Sequence, residues 1–498
     1  MKTLLLICLI PGMAMAGPQF QDRAAHLPEP HVYGGGWEHF VGGGTAVFDC
    51  NGDALPEIFA AGGENPAHLF VNTSPRGGDL EFAPGELPVI TGVTGAYPLD
   101  IDSDGLLDLA VLRVGPNMLL RGLGNCRFKD ATADWGFTQA DQWSTAFSAT
   151  WEPGQAWPTL AIGNYVDRAD PDGPFEACDH NLIYRAGADG YTTPLRLDPG
   201  FCALSMLFSD FSRRGRADLR ISNDRHYYVR GGYEQMWRPE QGRFLDETDG
   251  WARVSIWGMG IASADLNRDS TPDVMLTSMG DQLLQFSSPE GLQNAPYTAG
   301  ATAHRPYLGD DGRPSTGWHA AFGDVDNDGL ADIFIAKGNV DQMPGSAMED
   351  PNNLLIGQPD GTFAEAADSA GIATLERARG AALADLNGDG RLDLVVVNRR
   401  APMELWQNVS AAGNYAVIEL EQPAPNRRAV GAWVELRDRN GVRTLERTVG
   451  GGHVSGTAAP LHFGLGELDS AEARVIWPDG DVSDWTPVAV NGLTTLSR

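Results

Sequence analysis

The sequence predicts an all-β chain: a seven-bladed β-propeller closed by an N-terminal strand, then a small C-terminal β-rich, sandwich-like domain. Two observations carry this reading. An acidic loop recurs in one register, each time running into a short apolar, β-branched stretch such as Leu394–Val397 or Ile333–Ile335. The recurrence has a period of 50 to 60 residues, with Gly-rich turns and no convincing amphipathic helix, which suits blades packed radially.

The loop is clearest at Asp100, Asp102, Asp104 and Asp108, at Asp324, Asp326, Asp328 and Asp332, and at Asp385, Asn387, Asp389 and Asp393. Two weaker copies are Asp49, Asn51, Asp53 and Glu57, and Asp265, Asn267, Asp269 and Asp273, where Ala54 and Ser270 replace the turn glycine. Oxygen side chains fall at positions 1, 3, 5 and 9, a hard donor set that suits Ca²⁺. An EF-hand needs a bidentate Glu at position 12 and flanking helices. Position 12 is instead Ala60, Val111, Leu276, Ile335 and Val396, each within an apolar strand-like run, so the EF-hand reading fails. Single Asp/Asn/Gly turns are common between strands. Five in one register stack like charges a few Å apart, an arrangement that asks for a cation, so about five structural Ca²⁺ sites are expected.

The loops begin at Asp49, Asp100, Asp265, Asp324 and Asp385, and a damaged copy begins at Asp210. The gap of 110 residues before Asp210 is two periods, which places a hidden unit near Trp151 and makes seven. In the damaged copy Arg214 stands at position 5, a fixed cation able to bond Asp210 and Asp218 in place of an ion. An aromatic after a Gly-bearing turn repeats in step at Phe82, Phe128, Tyr191, Phe244, Phe286 and Phe363; Phe20 supplies the seventh, so the N-terminus is expected to complete the last blade and cover its edge.

The loops, with Gly124 to Asp130 and Pro359 to Phe363, resemble FG-GAP (VCBS-type) repeats of integrin-like propellers over about residues 17–410. The tail, through Asn426 to Val434, Arg447 to Gly452, His462 to Gly466 and Val475 to Gly480, resembles the ASPIC/UnbV domain over 411–498. Together these are similar to the cartilage acidic protein 1 family. Where the family pattern has Ser-Gln after the glycine-rich segment, this chain has Ser455 and Gly456, and no EGF-like module precedes Arg498.

Met1, Lys2, the apolar Leu4 to Ile10 and Ala14 to Ala16 read as a signal peptide over residues 1–16, so the mature protein is expected in a secreted or periplasmic location, as a monomer with no membrane span. Its four cysteines then favour disulfides. Of three possible pairings, Cys178 with Cys202 is preferred because it would staple the blades that lack calcium loops, leaving Cys50 with Cys126. The net charge of −30 argues against nucleic acid as a partner, and 17 of the 66 acidic residues lie in the five loops.

No Gly-x-Ser-x-Gly elbow, His-Glu-x-x-His helix or phosphate loop is present, and none of His226, His304, His319, His453 and His462 is adopted as catalytic. Trp143, Trp257, Trp318, His319 and Arg379 lead into the loops and are expected either to pack between blades or to face a central channel. Asn72 and Asn408 head glycosylation sequons. The expected function is a non-enzymatic binding or adhesion module for an unknown protein or glycan. The alternative, implied by the UnbV resemblance, is an enzyme that encloses a small apolar substrate.

Overall fold

The computed structural model describes residues 17–170, 177–188, 190–224, 232–288, 291–302, 312–341 and 343–498. The expected signal peptide over residues 1–16, His226 and His304 lie outside them. Among the described residues α-helix is confined to the single turn Ala367–Ala370, and no helix is long and apolar enough to cross a membrane.

Among the described residues, seven units of four antiparallel strands follow one another. Their inner strands are Thr45–Phe48, Val93–Leu99, Ser144–Thr150, Ala203–Ser209, Gly258–Ala264, Gly317–Gly323 and Ala378–Ala384, here blades 1 to 7. Each touches the next, and the seventh returns to the first, closing a ring. The hidden third unit is real: Ser144–Thr150 pairs with Thr159–Asn164 across the turn at Trp151. Blade 7 takes its outer strand from the N-terminus, with Phe20 opposite Asn408 and Asp22 opposite Trp406.

The inner strands are buried on both faces, which explains their Ala, Gly and Val content: Val47, Ala96, Ala146, Ala203, Ile261, Ala320 and Ala381 are all at most 2 % exposed. Small side chains there let blades converge on the axis, while larger ones such as Phe70, Leu120, Leu219 and Trp237 fill the wider spaces farther out.

The aromatic marker holds in five of the seven blades and misses in two. Tyr191 lies in a separate two-stranded ribbon, because blade 3 uses Leu195–Leu197 as its outer strand, and Phe286 ends the third strand of blade 5, whose outer strand is Gln293–Asn294. In blade 3 the ribbon of Ala186–Gly187 and Gly190–Tyr191 is inserted between the third and fourth strands, whereas in blade 5 the turn follows Phe286 and the outer strand has no aromatic residue.

Residues 414–498 form two sheets around their own core of Ile418, Val434, Leu436, Phe463, Val475 and Trp477. This agrees with the expected sandwich, but the domain is not merely appended. The stretch Val449 to Thr457 leaves it and enters the axis of the ring. Val449–Gly450 bridges the inner strands of blades 3 and 4, merging them into a nine-stranded sheet, and Gly456–Thr457 pairs in parallel with Ala46 and Val47 of blade 1.

Candidate metal centre

In all five intact loops the position-9 carboxylate opens the second strand of its blade: Glu57, Asp108, Asp273, Asp332 and Asp393. From there it ties the loop to the sheet. Asp108 accepts from Ile101 N at 2.7 Å and Gly122 N at 2.8 Å, Asp332 from Val325 N and Gly357 N, Asp393 from Leu386 N and Asn408 N, and Asp273 from Leu266 N and Ser287 N. The position-1 carboxylate receives the amide five residues on: Asp49 from Ala54 N, Asp100 from Gly105 N, Asp265 from Ser270 N, Asp324 from Gly329 N and Asp385 from Gly390 N. That amide belongs to position 6, where the backbone needs positive φ, 94° at Gly105 and 93° at Gly329. Ala54 and Ser270 accept the same strained conformation, at 62° and 67°, which explains how the two weaker copies keep the loop.

Asp100, Asp102 and Asp108 each bring a carboxylate oxygen within 4.8 Å of the others, as do Asp324, Asp326 and Asp332. Oxygens on one Ca²⁺ lie 2.3–2.6 Å from it, so two can be at most about 5 Å apart, and both groups fit. Asp100 Oδ1 is buried without a hydrogen-bond partner, an orphan acceptor that a cation would satisfy. Burial, reinforced by neighbouring carboxylates, pushes Asp108 up to about 8 and Asp100, Asp326 and Asp385 up to about 6, and holds Asp324, Asp332 and Asp393 well above the usual range. A divalent ion removes this penalty by letting the carboxylates ionise. Asn51, Asp53, Asp104, Asn267, Asp269, Asp328, Asn387 and Asp389 fold around the same centres through Asx-type contacts to the backbone. Two loops also meet a fixed cation: Arg121 reaches Asp102 and Asp104 in blade 2, and Arg391 reaches Asp389 in blade 7.

The damaged loop differs in detail from expectation. Arg214 donates through Nη2 to both oxygens of Asp218, at 3.1 and 3.0 Å, but its guanidinium is not bonded to Asp210, which is held by the backbone amides of Arg214 and Gly215. The second cation on Asp218 is Arg238. Position 1 is thus served by amides and position 9 by two arginines.

Both disulfides form as preferred: Cys50 with Cys126 ties the blade 1 loop to the outer turn of blade 2, and Cys178 with Cys202 ties blade 3 to the start of blade 4. With both sulfurs spent on each other, Glu57 gains no thiolate ligand from its neighbours Cys50 and Cys126.

The axis holds protein where a channel was one expectation. Ser455 Oγ accepts from Thr45 N of blade 1 at 3.1 Å, Ser455 bridges Ala96 of blade 2, and Ser148 Oγ of blade 3 donates to Val449 O at 2.6 Å. Gly451 N donates to Met206 O of blade 4 at 2.7 Å and Gly452 N to Ile261 O of blade 5 at 2.6 Å, while His453 N donates to His319 Nδ1 of blade 6 at 3.1 Å. At blade 7, a Cβ on Gly380 would stand 2.3 Å from Ser455 Oγ. All seven inner strands therefore meet this one segment. Gly456, where the family pattern has Gln, lies against Tyr97 and Pro98 with room for no side chain, the nearest atoms 2.8 Å from an added Cβ.

Packing also wins for the tryptophans. Trp143 and Trp318 are fully buried with Phe40, Tyr165 and Met259 at the end of the axis opposite the loops, and Arg379 lies 4.0 Å over the Trp318 ring, donating to the carbonyls of Phe40, Ala378 and Asn339. Trp257 packs on the same cluster, half-buried. Neither sequon is available: Asn72 and Asn408 are buried, their amides donating to Leu386 O and Val325 O. Sequence reasoning missed the axial segment, although the run Gly450, Gly451, Gly452 was a usable sign of close backbone approach.

A ring of FG-GAP-type blades carrying acidic loops, closed from its own N-terminus and coupled to a C-terminal sandwich, is the class of protein these features define. The FG-GAP-like repeat family matches residues 49–111 and 324–396, and the ASPIC and UnbV family matches 422–498. The chain carries both elements and is similar to cartilage acidic protein 1: 31% identical to that of Xenopus tropicalis over 118 residues, 38% to that of Mus musculus over 88 and 39% to that of Homo sapiens over 74. These stretches cover 22%, 16% and 15% of this chain and only 17%, 14% and 11% of those relatives. Among solved structures, BBS1N bound to ARL6DN aligns over 76% of this chain and 94% of its own at 10% identity and a TM-score of 0.45. The extracellular domain of a putative hybrid two component system of B. thetaiotaomicron aligns over 96% and 59% at 7% identity and a TM-score of 0.43.

Proposed function

We propose that this protein is an exported, calcium-rigidified propeller that acts as a binding or adhesion module for a protein or glycan partner. One observation carries the metal assignment: five loops share one hydrogen-bonded frame, and in two of them, at Asp100, Asp102 and Asp108 and at Asp324, Asp326 and Asp332, the carboxylates converge within reach of one cation. The residues that would hold it are the position 1, 3, 5 and 9 side chains of each loop, from Asp49 to Asp393. Two disulfides support an oxidising compartment. The clefts between ring and sandwich, about 540 and 470 Å³, are lined by loop residues, by Ala, Gly and Leu and by charged side chains such as Glu419 and Arg428, and the two histidines in them, His319 and His462, are bonded to backbone at His453 N and Gly390 O. That supports binding over enclosure of a substrate.

At ten-fold saturation each site contributes about 1.4 kcal/mol, and five contribute about 7. An entropy of unfolding of about 2.1 cal/mol/K per residue makes this worth about 7 °C in melting temperature for a chain of this size. Calorimetry in excess Ca²⁺ and in EDTA tests the reading; coincident melts, with no heat on Ca²⁺ titration, would refute it.

A further inference from the structure

Resting on the calcium reading, we propose that the C-terminal sandwich is the partner of the metal loops, so that cation binding and seating of Val449 to Thr457 in the axis are one coupled equilibrium. The sandwich does not merely lie near the loops. Thr444 Oγ1 bonds Asp265 Oδ2, a position-1 carboxylate, at 3.0 Å. Gly413 N, one residue before the sandwich, donates to Asp326 O at 2.9 Å and Gly466 N of the sandwich to Asn327 O at 2.6 Å, so the blade 6 loop offers the sandwich and its entry backbone carbonyls. Asn426 N donates to Ser103 Oγ in the blade 2 loop at 3.2 Å.

These acceptors point outward only while the loop is wrapped tightly around its centre. Carboxylates crowded within 4.8 Å repel when ionised without a counter-ion, and a loop that opens to relieve them turns its carbonyls away from the sandwich. The same sandwich strand that carries Thr444, Gly441–Glu446, runs three residues later into Val449, so a displaced sandwich withdraws the axial segment. Linkage then requires the reverse effect: a segment that seats poorly must weaken cation binding at loops it does not touch.

Hydrogen exchange of the full chain in 1 mM CaCl₂ and in EDTA, followed by mass spectrometry, reads the first arm. Amides of 449–457 should exchange at least tenfold faster in EDTA, while the second strands, such as Asp332–Lys337, stay protected. Calorimetric Ca²⁺ titration of His453→Ala reads the second: its imidazole is far from every loop oxygen in sequence and sits in the axis, and overall affinity should fall at least fivefold. Wild-type protein that binds Ca²⁺ yet protects 449–457 equally with and without it overturns the coupling alone, as does uniform loosening of all strands. Wild-type protein that binds no Ca²⁺ overturns the metal assignment, and this inference with it.

Discussion

His319 and His453 show how burial fixes chemistry at a single residue. His453 donates from Nδ1 to Leu204 O and accepts Gly42 N at Nε2, while His319 accepts at Nδ1 from His453 N. Both rings are therefore neutral, and desolvation lowers them to about 3 and about 4. The unfolded chain takes up protons below about pH 6.5 and these two histidines do not, so their stabilisation is complete above that pH and is lost as pH falls towards their folded values. At pH 5 each costs about 2 kcal/mol relative to pH 7. In saturating Ca²⁺, His319→Gln should lose about 2 kcal/mol less than wild type between pH 7 and 5 in denaturant melts; equal losses would show that the ring is not held neutral. The loop carboxylates were legible because they repeat. These two histidines were not, since nothing local marks a histidine that is buried by a segment more than a hundred residues away.

At the scale of elements, the inner strands make room for the axial segment by lacking side chains. A Cβ on Gly44 would stand 1.8 Å from Val454 O, and one on Gly95 2.0 Å from the same atom. Both contacts are with backbone, which cannot rotate away. Gly44→Ala should therefore cost more than about 3 kcal/mol, beyond the range of ordinary single substitutions, and expose Val449 to Thr457 to protease; a variant within 1 kcal/mol of wild type, as judged by urea midpoint, would contradict the close packing. The acidic loops and the apolar runs that follow them gave the second strands of the blades, and the spacing gave the degenerate third. Outer strands were less legible, because blade 3 inserts a ribbon that carries Tyr191 and the outer strand of blade 5, Gln293–Asn294, is two polar residues with no aromatic to mark it.

The whole molecule behaves as one unit because three closures act on it together. The N-terminal strand completes blade 7, the Cys50–Cys126 bridge spans 76 residues between blades 1 and 2, and the axial segment ties ring to sandwich. A loop of that length is worth about 4.5 kcal/mol in chain entropy, so Cys50→Ser with Cys126→Ser should lower stability by roughly that amount in urea melts and, on the calcium reading proposed above, leave Ca²⁺ stoichiometry unchanged. Thermal unfolding should show a single transition; separate melts for ring and sandwich would mean the axial contacts are weak.

The sequence by itself determined the blade number, the N-terminal closure and the shared carboxylate frame of the loops, because each is written as a pattern repeated at a fixed spacing, and it left three cysteine pairings of which the preferred one forms. Only the tertiary structure decided what fills the axis, where Arg214 points, and that the loops form the seat of the sandwich. Those outcomes depend on contacts between segments hundreds of residues apart, whose close approach is permitted by glycines that look, in the sequence, like any other turn residue.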